Sequence, residues 1–397
     1  MSATETTGSA KPIESAWPFV LLAFGFSRLF FSLVGTLASS LLPWGPPGGL
    51  IAPPGLFSYW AHWDGAWYSA IAIAGYGFLG PESTAFFPLY PMLVRAGTAI
   101  GGGPALWGVL VSLISTLFAL YFIYRIAEKM FNAQAARAAT LAFAFFPTAF
   151  FLNAVYTEAL FVALTAGSFW AAYVRRDLLL AGVFGALAAA TRNLGVLLLI
   201  PLAYEWLRSR REFGWRGVLG MGLVPLGLVG YALFLWYRFG EPLIFFRQQS
   251  AHWQRELANP ITTLERAWTS AGEGLRYVLN PASLFFDPAP DPALAASNTL
   301  NIVFLVLFLV LVGIGFALLP PGLSGYASLI ALLLILTPSP LFPLMSLPRF
   351  MLGTFPLFFV LGYLLSRSRI ALYLWLFVSG ALGAALTAMF VTWRWVA

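Results

Sequence analysis

Apolar segments of about 20 residues recur along the whole 397-residue chain, each long enough to cross a hydrocarbon core of about 30 Å as a helix. Only 9% of residues are charged and 60% are hydrophobic, whereas a soluble domain is roughly a quarter charged. The backbone of a lipid-immersed segment has to satisfy its own hydrogen bonds, so the pattern predicts an all-α, polytopic membrane protein. The expected spans are 17–42, 104–127, 134–152, 154–174, 215–238, 298–319, 323–338, 349–366 and 370–393, about nine in all. Residues 1–16 are small and polar and read as a disordered cytoplasmic tail. They lack the basic start of a cleavable signal peptide. No repeat stands out, and 17–397 reads as one domain.

Segment 178–207 departs from the spanning pattern. Two apolar halves of about 13 residues, each roughly 20 Å as helix, flank Thr191-Arg192-Asn193. Basic residues sort the sides. Arg125, Lys129 and Arg137 share one short loop, and Arg175 and Arg176 another. Arg208, Arg210, Arg211 and Arg216 form a third group, and Arg367 and Arg369 a fourth. The positive-inside rule puts all four in the cytoplasm, so both ends of 178–207 lie there. The expectation is a re-entrant hairpin whose tip carries Arg192. A single long spanning helix would break the charge rule. The outer face then receives 43–103 and 239–297, both rich in Pro, Trp and Phe, which read as interfacial helices and loops.

The net charge of +7 is topological on this reading, and no basic-aromatic module for nucleic acid is visible. Absence of cysteine removes disulfides, Cys-zinc sites and a Cys nucleophile. No nucleotide loop or hydrolase triad motif occurs in its required context.

Chemistry concentrates in a few places. Asp64 stands alone in His62-Trp63-Asp64-Gly65-Ala66-Trp67-Tyr68, with Glu14 and Glu82 the nearest acids along the chain. It suits a site in the outer loop, and equally the N-cap of a helix 65–74. Were 58–75 all helical, Trp60, Asp64, Trp67 and Tyr68 would share a face. The stretch 86–91, FFPLYP, reads as a stiff extended turn. Glu158 opens an apolar helix, where its charge favours the N-terminus. Arg28, Arg192 and Arg349 fall within apolar segments, where a charge faces a cavity or a partner. With few carboxylates at that depth, they point to an anionic ligand such as a phosphate. The run Phe245–Arg255 mixes Gln248, Gln249, His252 and Trp253, a composition suited to a carbohydrate or to a polar interfacial helix. The two histidines, His62 and His252, have no ligand spacing for a metal, and no cofactor is expected.

Together, Ser27-Arg28-Leu29, HWDGAWYSAIAIAGY (62–76), FFPLYP (86–91), FPTAFFLNAVYTEALF (146–161), ALAAATRNLG (186–195), QQSAHW (248–253) and PRFMLGTFPLF (348–358) resemble the PIG-V family of mannosyltransferases, membrane enzymes of the GT-C class. One departure is Phe350, where the family more often has Tyr after the Arg. The resemblance implies a GT-C-like fold and a polyprenyl- or dolichyl-phosphate-mannose donor. It implies inversion at the sugar carbon and a lipid- or glycan-linked acceptor, with lipid tails in grooves between spans. It implies that Asp64 is the catalytic base and that Arg28, Arg192 and Arg349 balance the leaving phosphate. Substrate would be contacted by His62, Trp63, Trp67, Tyr68 and Tyr90, by Tyr156, Glu158 and Asn193, and by Gln248, His252 and Trp253. The site would face away from the cytoplasm, in the plasma membrane of a prokaryote or the endoplasmic reticulum of a eukaryote. The acceptor does not transfer with the family, since prokaryotic relatives need not make GPI anchors. The competing readings are a transporter or lipid flippase, which calls for an inverted repeat and a midplane site, and a non-catalytic assembly protein.

Overall fold

A computed structural model describes residues 15–286, 292–340 and 342–396. The tail expected over 1–16 lies outside these apart from Ser15 and Ala16, which already open the first helix. Everything regular among the described residues is helical. The first helices are α1 (Ala16–Leu41), α2 (Asp64–Ala74), α3 (Leu89–Thr98), α4 (Pro104–Met130), α5 (Ala133–Ala144) and α6 (Glu158–Tyr173). Next come α7 (Leu178–Thr191), α8 (Leu199–Arg208), α9 (Arg210–Leu223), α10 (Leu226–Phe239), α11 (Ile244–Ala251) and α12 (Pro260–Leu279). The last are α13 (Ser283–Phe286), α14 (Pro292–Leu318), α15 (Pro321–Leu336), α16 (Leu347–Gly353), α17 (Pro356–Leu365) and α18 (Arg369–Val391). Polar punctuation sets their starts. Asn132, Asp177, Asn259 and Ser368 each accept a hydrogen bond from the first turn of the helix that follows, supplying free helix-end donors with an acceptor.

Among the described residues, five helical units are long and apolar enough to cross a membrane: α1, α4, α9 with α10, α14 and α18. A sixth, α16 with α17, is bent by 90°. The chain is thus an integral membrane protein, with fewer full-length helices than the nine spans expected. The reason is local. Pro147 follows Phe146, and the residue before a proline is pushed out of helical geometry. Segment 134–152 therefore becomes the 12-residue α5 followed by a short 3-10 turn, Ala149–Leu152. Segment 154–174 becomes the 16-residue α6, almost wholly buried among its neighbours. Segment 58–75 is not one helix either: a 3-10 turn, Ser58–Trp60, precedes α2.

Segment 178–207 doubles back. The backbone at Arg192 is extended (φ −154°, ψ 144°), and the 3-10 turn Asn193–Leu198 folds against the end of α7. A Cβ at Gly195 would lie 2.3 Å from Ala189 N, so only glycine fits that reversal. The two ends of the segment meet. Arg176, just before α7, donates to Glu205 on α8 and to Ser209 and Glu212 beyond it. Helices α7 and α9 touch backbone to backbone, since a Cβ at Gly182 would sit 1.9 Å from Gly220 O.

Three helical units each carry a candidate site residue at one end and lead into a basic loop at the other. Glu158 opens α6, which runs to Arg175 and Arg176. Arg192 ends α7, which starts beside the same pair. Arg349 lies on α16, and α17 runs on to Arg367 and Arg369. The candidate site therefore occupies the end of the bundle opposite these basic loops. The first turn of α5 and the end of α17 also adjoin, through Gln134 Nε2 donating to Ser366 O at 2.7 Å.

Candidate active site

Two charged residues reach the site from helices that begin at left-handed backbone. Trp63 (φ 55°) precedes Asp64, and Ser346 (φ 65°) precedes α16 with Arg349. Such geometry costs a non-glycine residue about 1–3 kcal/mol and persists where surrounding contacts impose it. Asp64 is not the N-cap. It is the first residue of α2, and Trp63 occupies the cap position without a side-chain bond. The Asp64 carboxylate is engaged elsewhere: Arg349 Nη1 donates to Asp64 Oδ2 at 2.8 Å.

From there the charges alternate. Arg349 Nε lies 3.3 Å from Glu158 Oε1, and Arg192 Nη1 donates to the same oxygen at 2.8 Å. Glu158 is 3% exposed and Asp64 28%, so the relay runs from a rim acid to a deep one. Glu158 Oε2 is buried with no hydrogen-bond partner among the described residues. The arginines that seemed to lack acids thus have them, and the case for an anionic ligand made from their isolation is corrected. Glu158, Phe161, Arg192, Arg349 and Phe350 line a small cavity at this point.

Arg28 is not brought to this cluster. Its Nη1 donates to Ala149 O (2.8 Å) and Asn153 Oδ1 (2.6 Å), and its Nη2 to Ala144 O (2.7 Å). It pins the Pro147 break to α1, which corrects its assignment to a phosphate. His62, expected to contact substrate, is not brought to the relay. Its Nδ1–H donates to Phe390 O at 3.1 Å, and the ring stacks on Trp393 at 4.1 Å. Burial lowers its pKa to about 4, only partly offset by the Phe390 bond, so it is neutral at pH 7. Tyr90 is also turned inward, donating to Gly108 O on α4 at 2.9 Å.

The remaining predicted residues divide. Tyr156 lies in the site wall: its ring is 5.5 Å from the Arg349 guanidinium carbon, and its hydroxyl donates to His62 O at 3.1 Å. Tyr68 is near, with its hydroxyl 3.4 Å from Thr157 Oγ1. Burial first, then the Asp64 charge, push its pKa up, so it stays a neutral donor. Trp67 stacks on Phe86 at 5.5 Å, and the edges of His252 and Trp253 approach it at 6.0 and 6.5 Å. The 86–91 and 248–253 motifs therefore meet over α2, although 89–91 is already helical rather than extended. Trp63 packs against Trp393 and Trp395. Gln248 is buried on α11, and Asn193 is exposed. Among the described residues, no group of three or more His, Asp or Glu is placed to hold a metal ion.

Sequence reasoning passed over Arg255 and the role of Phe350. The Phe350 ring is approached by three guanidiniums, those of Arg192 at 4.8 Å, Arg349 at 5.3 Å and Arg255 at 5.4 Å. Cation–π contacts of this kind stabilise by about 0.5–2 kcal/mol each. Arg255 ends the 245–255 run, but nothing in its local pattern sets it apart; only the fold brings it to residue 350. A second cavity of about 440 Å³ lies among α2, α3, α7 and α10. It is lined by Ile71, Tyr76, Met92, Tyr231 and Phe234, with Arg95 its single charged residue, and its size is that of a ligand pocket.

Residues 81–236 match the model of the family described as dolichyl-phosphate-mannose-protein mannosyltransferase. The matched part contains Glu158 and Arg192 but neither Asp64 nor Arg349. No curated protein matches the chain. Among solved structures, the chain is similar to the Archaeoglobus fulgidus oligosaccharyltransferase, with 16% identity and a TM-score of 0.46 over 95% of this chain and 53% of that one. It is also similar to ArnT from Cupriavidus metallidurans bound to undecaprenyl phosphate, with 15% identity and a TM-score of 0.44 over 95% of this chain and 78% of that one. The chain thus spans about half the length of the archaeal enzyme.

Proposed function

We propose that this chain is a membrane glycosyltransferase that moves a hexosyl group from a polyprenyl-phosphate donor to a hydroxyl of a lipid- or glycan-linked acceptor, at the non-cytoplasmic face. The observation that carries the reading is the convergence of Asp64, Arg349, Glu158 and Arg192, from four distant segments, at the end of the bundle opposite the basic loops. The matched family's donor, dolichyl-phosphate-mannose, supports a lipid-phosphate donor. The ordered PIG-V-like motifs supply the narrower choice of mannose.

In this reading Asp64 is the general base. Arg349 occupies its Oδ2 and leaves Oδ1 for the acceptor hydroxyl. The acceptor oxygen attacks the anomeric carbon as Asp64 takes its proton. The bond from that carbon to the phosphate oxygen breaks, the lipid phosphate leaves with the electron pair, and the configuration inverts. Trp67 and Trp253 offer aromatic faces suited to a sugar ring, and the apolar 440 Å³ cavity beside α2 suits a lipid chain.

The test is a transfer assay with purified protein in nanodiscs, radiolabelled polyprenyl-phosphate-mannose and candidate lipid acceptors. Labelled product is expected from the lipid donor. Transfer from a nucleotide sugar alone overturns the donor assignment.

A further inference from the structure

Arg192 and Arg349 spend their strongest contacts on Glu158 and Asp64. A third guanidinium does not. Arg255 lies half-buried over the same Phe350 ring, and among the described residues its guanidinium makes one hydrogen bond, from Nη2 to Met345 O at 3.0 Å. Four of its five N–H donors remain. Three guanidiniums here face two carboxylates, so the site carries a surplus cation, and the surplus is Arg255.

Its carrier is held in place. Gln254 has a left-handed backbone (φ 53°), Arg255 N donates to Gln249 O at 2.9 Å, and Ala258 N donates to Leu336 O at 3.0 Å. These bonds lay the strap 252–259 across the end of α15, with Trp253 reaching Trp67 on one side and Arg255 reaching Phe350 on the other. Burial, then repulsion from Arg349 and Arg192, depress its pKa to about 10, with Asp64 opposing. A guanidinium in that position gains from an arriving anion.

We infer that Arg255 is the residue that grips the departing lipid phosphate, while Arg192 and Arg349 serve to hold and aim the two carboxylates. The inference rests on the lipid-phosphate donor proposed above and revises the division of labour within it. Oxygen acceptors of the phosphate would meet the open N–H fork of Arg255 in charge-assisted bonds. Because the strap also carries Trp253, sugar and phosphate would be engaged by one loop.

The experiment measures binding, not turnover. Wild type, Arg255→Gln, Arg255→Lys and Asp64→Asn in nanodiscs are titrated with polyprenyl phosphate and with the uncharged polyprenol of equal length. Wild type and Asp64→Asn should prefer the phosphate. Arg255→Gln should lose about tenfold or more of phosphate affinity, the scale of a charged hydrogen bond, with polyprenol binding unchanged. Arg255→Lys should keep most of the preference. Unaltered phosphate affinity in Arg255→Gln, or equal loss of both ligands, removes Arg255 from the phosphate. So does equal phosphate loss in the Gln and Lys variants, which would mark a packing role. A wild type without preference instead removes the lipid-phosphate donor itself.

Discussion

Neutralising either acid of the relay by its amide removes one charge and almost no volume, yet the structure ranks the two changes differently. Glu158 is 3% exposed and its Oε1 is shared by Arg192 and Arg349. Glu158→Gln leaves a buried guanidinium, Arg349, and a largely buried one, Arg192, without their common anion, and breaking a buried pair from one side costs about 3–5 kcal/mol. Asp64 is 28% exposed, and its one ion pair among the described residues is with Arg349, which keeps Glu158. The amide oxygen of Asn can still accept from Nη1, so Asp64→Asn should cost no more than about 1 kcal/mol. Activity should order the other way in relation to stability. If Asp64 is the general base proposed above, its loss lowers transfer by about 10²–10⁴-fold in a protein that melts almost normally. The assay pairs thermal unfolding of each variant with transfer from polyprenyl-phosphate-mannose. Asp64→Asn melting as low as Glu158→Gln, or retaining activity within about threefold of wild type, would refute the assignment of one acid to chemistry and the other to architecture.

Other outcomes follow from the same contacts. Arg28→Met strips three strong bonds from the 144–153 turn and should destabilise by about 3 kcal/mol or more, seen as a lowered melting temperature, with Arg28→Lys recovering only part. His62 has a folded pKa near 4, below its ordinary 6.5. The unfolded chain therefore binds a proton first as pH falls from 6.5 to 4, and stability declines through that window by about 3 kcal/mol at most. His62→Asn should flatten that part of a melting-temperature-versus-pH curve. Gly182→Val drives side-chain atoms into the Gly220 carbonyl and should separate α7 from α9, read as loss of monodisperse protein on size exclusion. Phe350→Leu removes the ring under three guanidiniums and should lower the melting temperature, whereas Phe350→Tyr should not.

Much of this architecture was legible in the chain. The apolar periodicity and the arginine loops implied helices and a doubled-back 178–207. The hairpin was readable because two 13-residue halves cannot each span, a constraint that needs no neighbours. The count of full-length helices was not, because the break at Pro147 is disguised by continuous hydrophobicity on both sides. Asp64, Glu158, Arg192 and Arg349 were each visible as charges in apolar surroundings. Their mutual pairing was not, because Asp64 and Arg349 lie 285 residues apart and no local pattern encodes such a contact. Arg28 was misjudged for the opposite reason. Its partners are backbone carbonyls, which every sequence contains and none advertises. Arg255 went unnoticed because an arginine in a polar loop is unremarkable until the fold sets it over Phe350.

The wide spacing of the relay also fixes an order of events during synthesis. Glu158 and Arg192 are 34 residues apart and can find each other while the chain is still being made. Asp64 waits for its partner until most of the protein has been inserted. An incomplete chain would hold Glu158 with one guanidinium rather than two and leave Asp64 without its clamp. Completion of the Asp64–Arg349 pair is thereby tied to arrival of the final third of the polypeptide. A truncated or stalled product would reach the membrane with this relay of charges still unassembled.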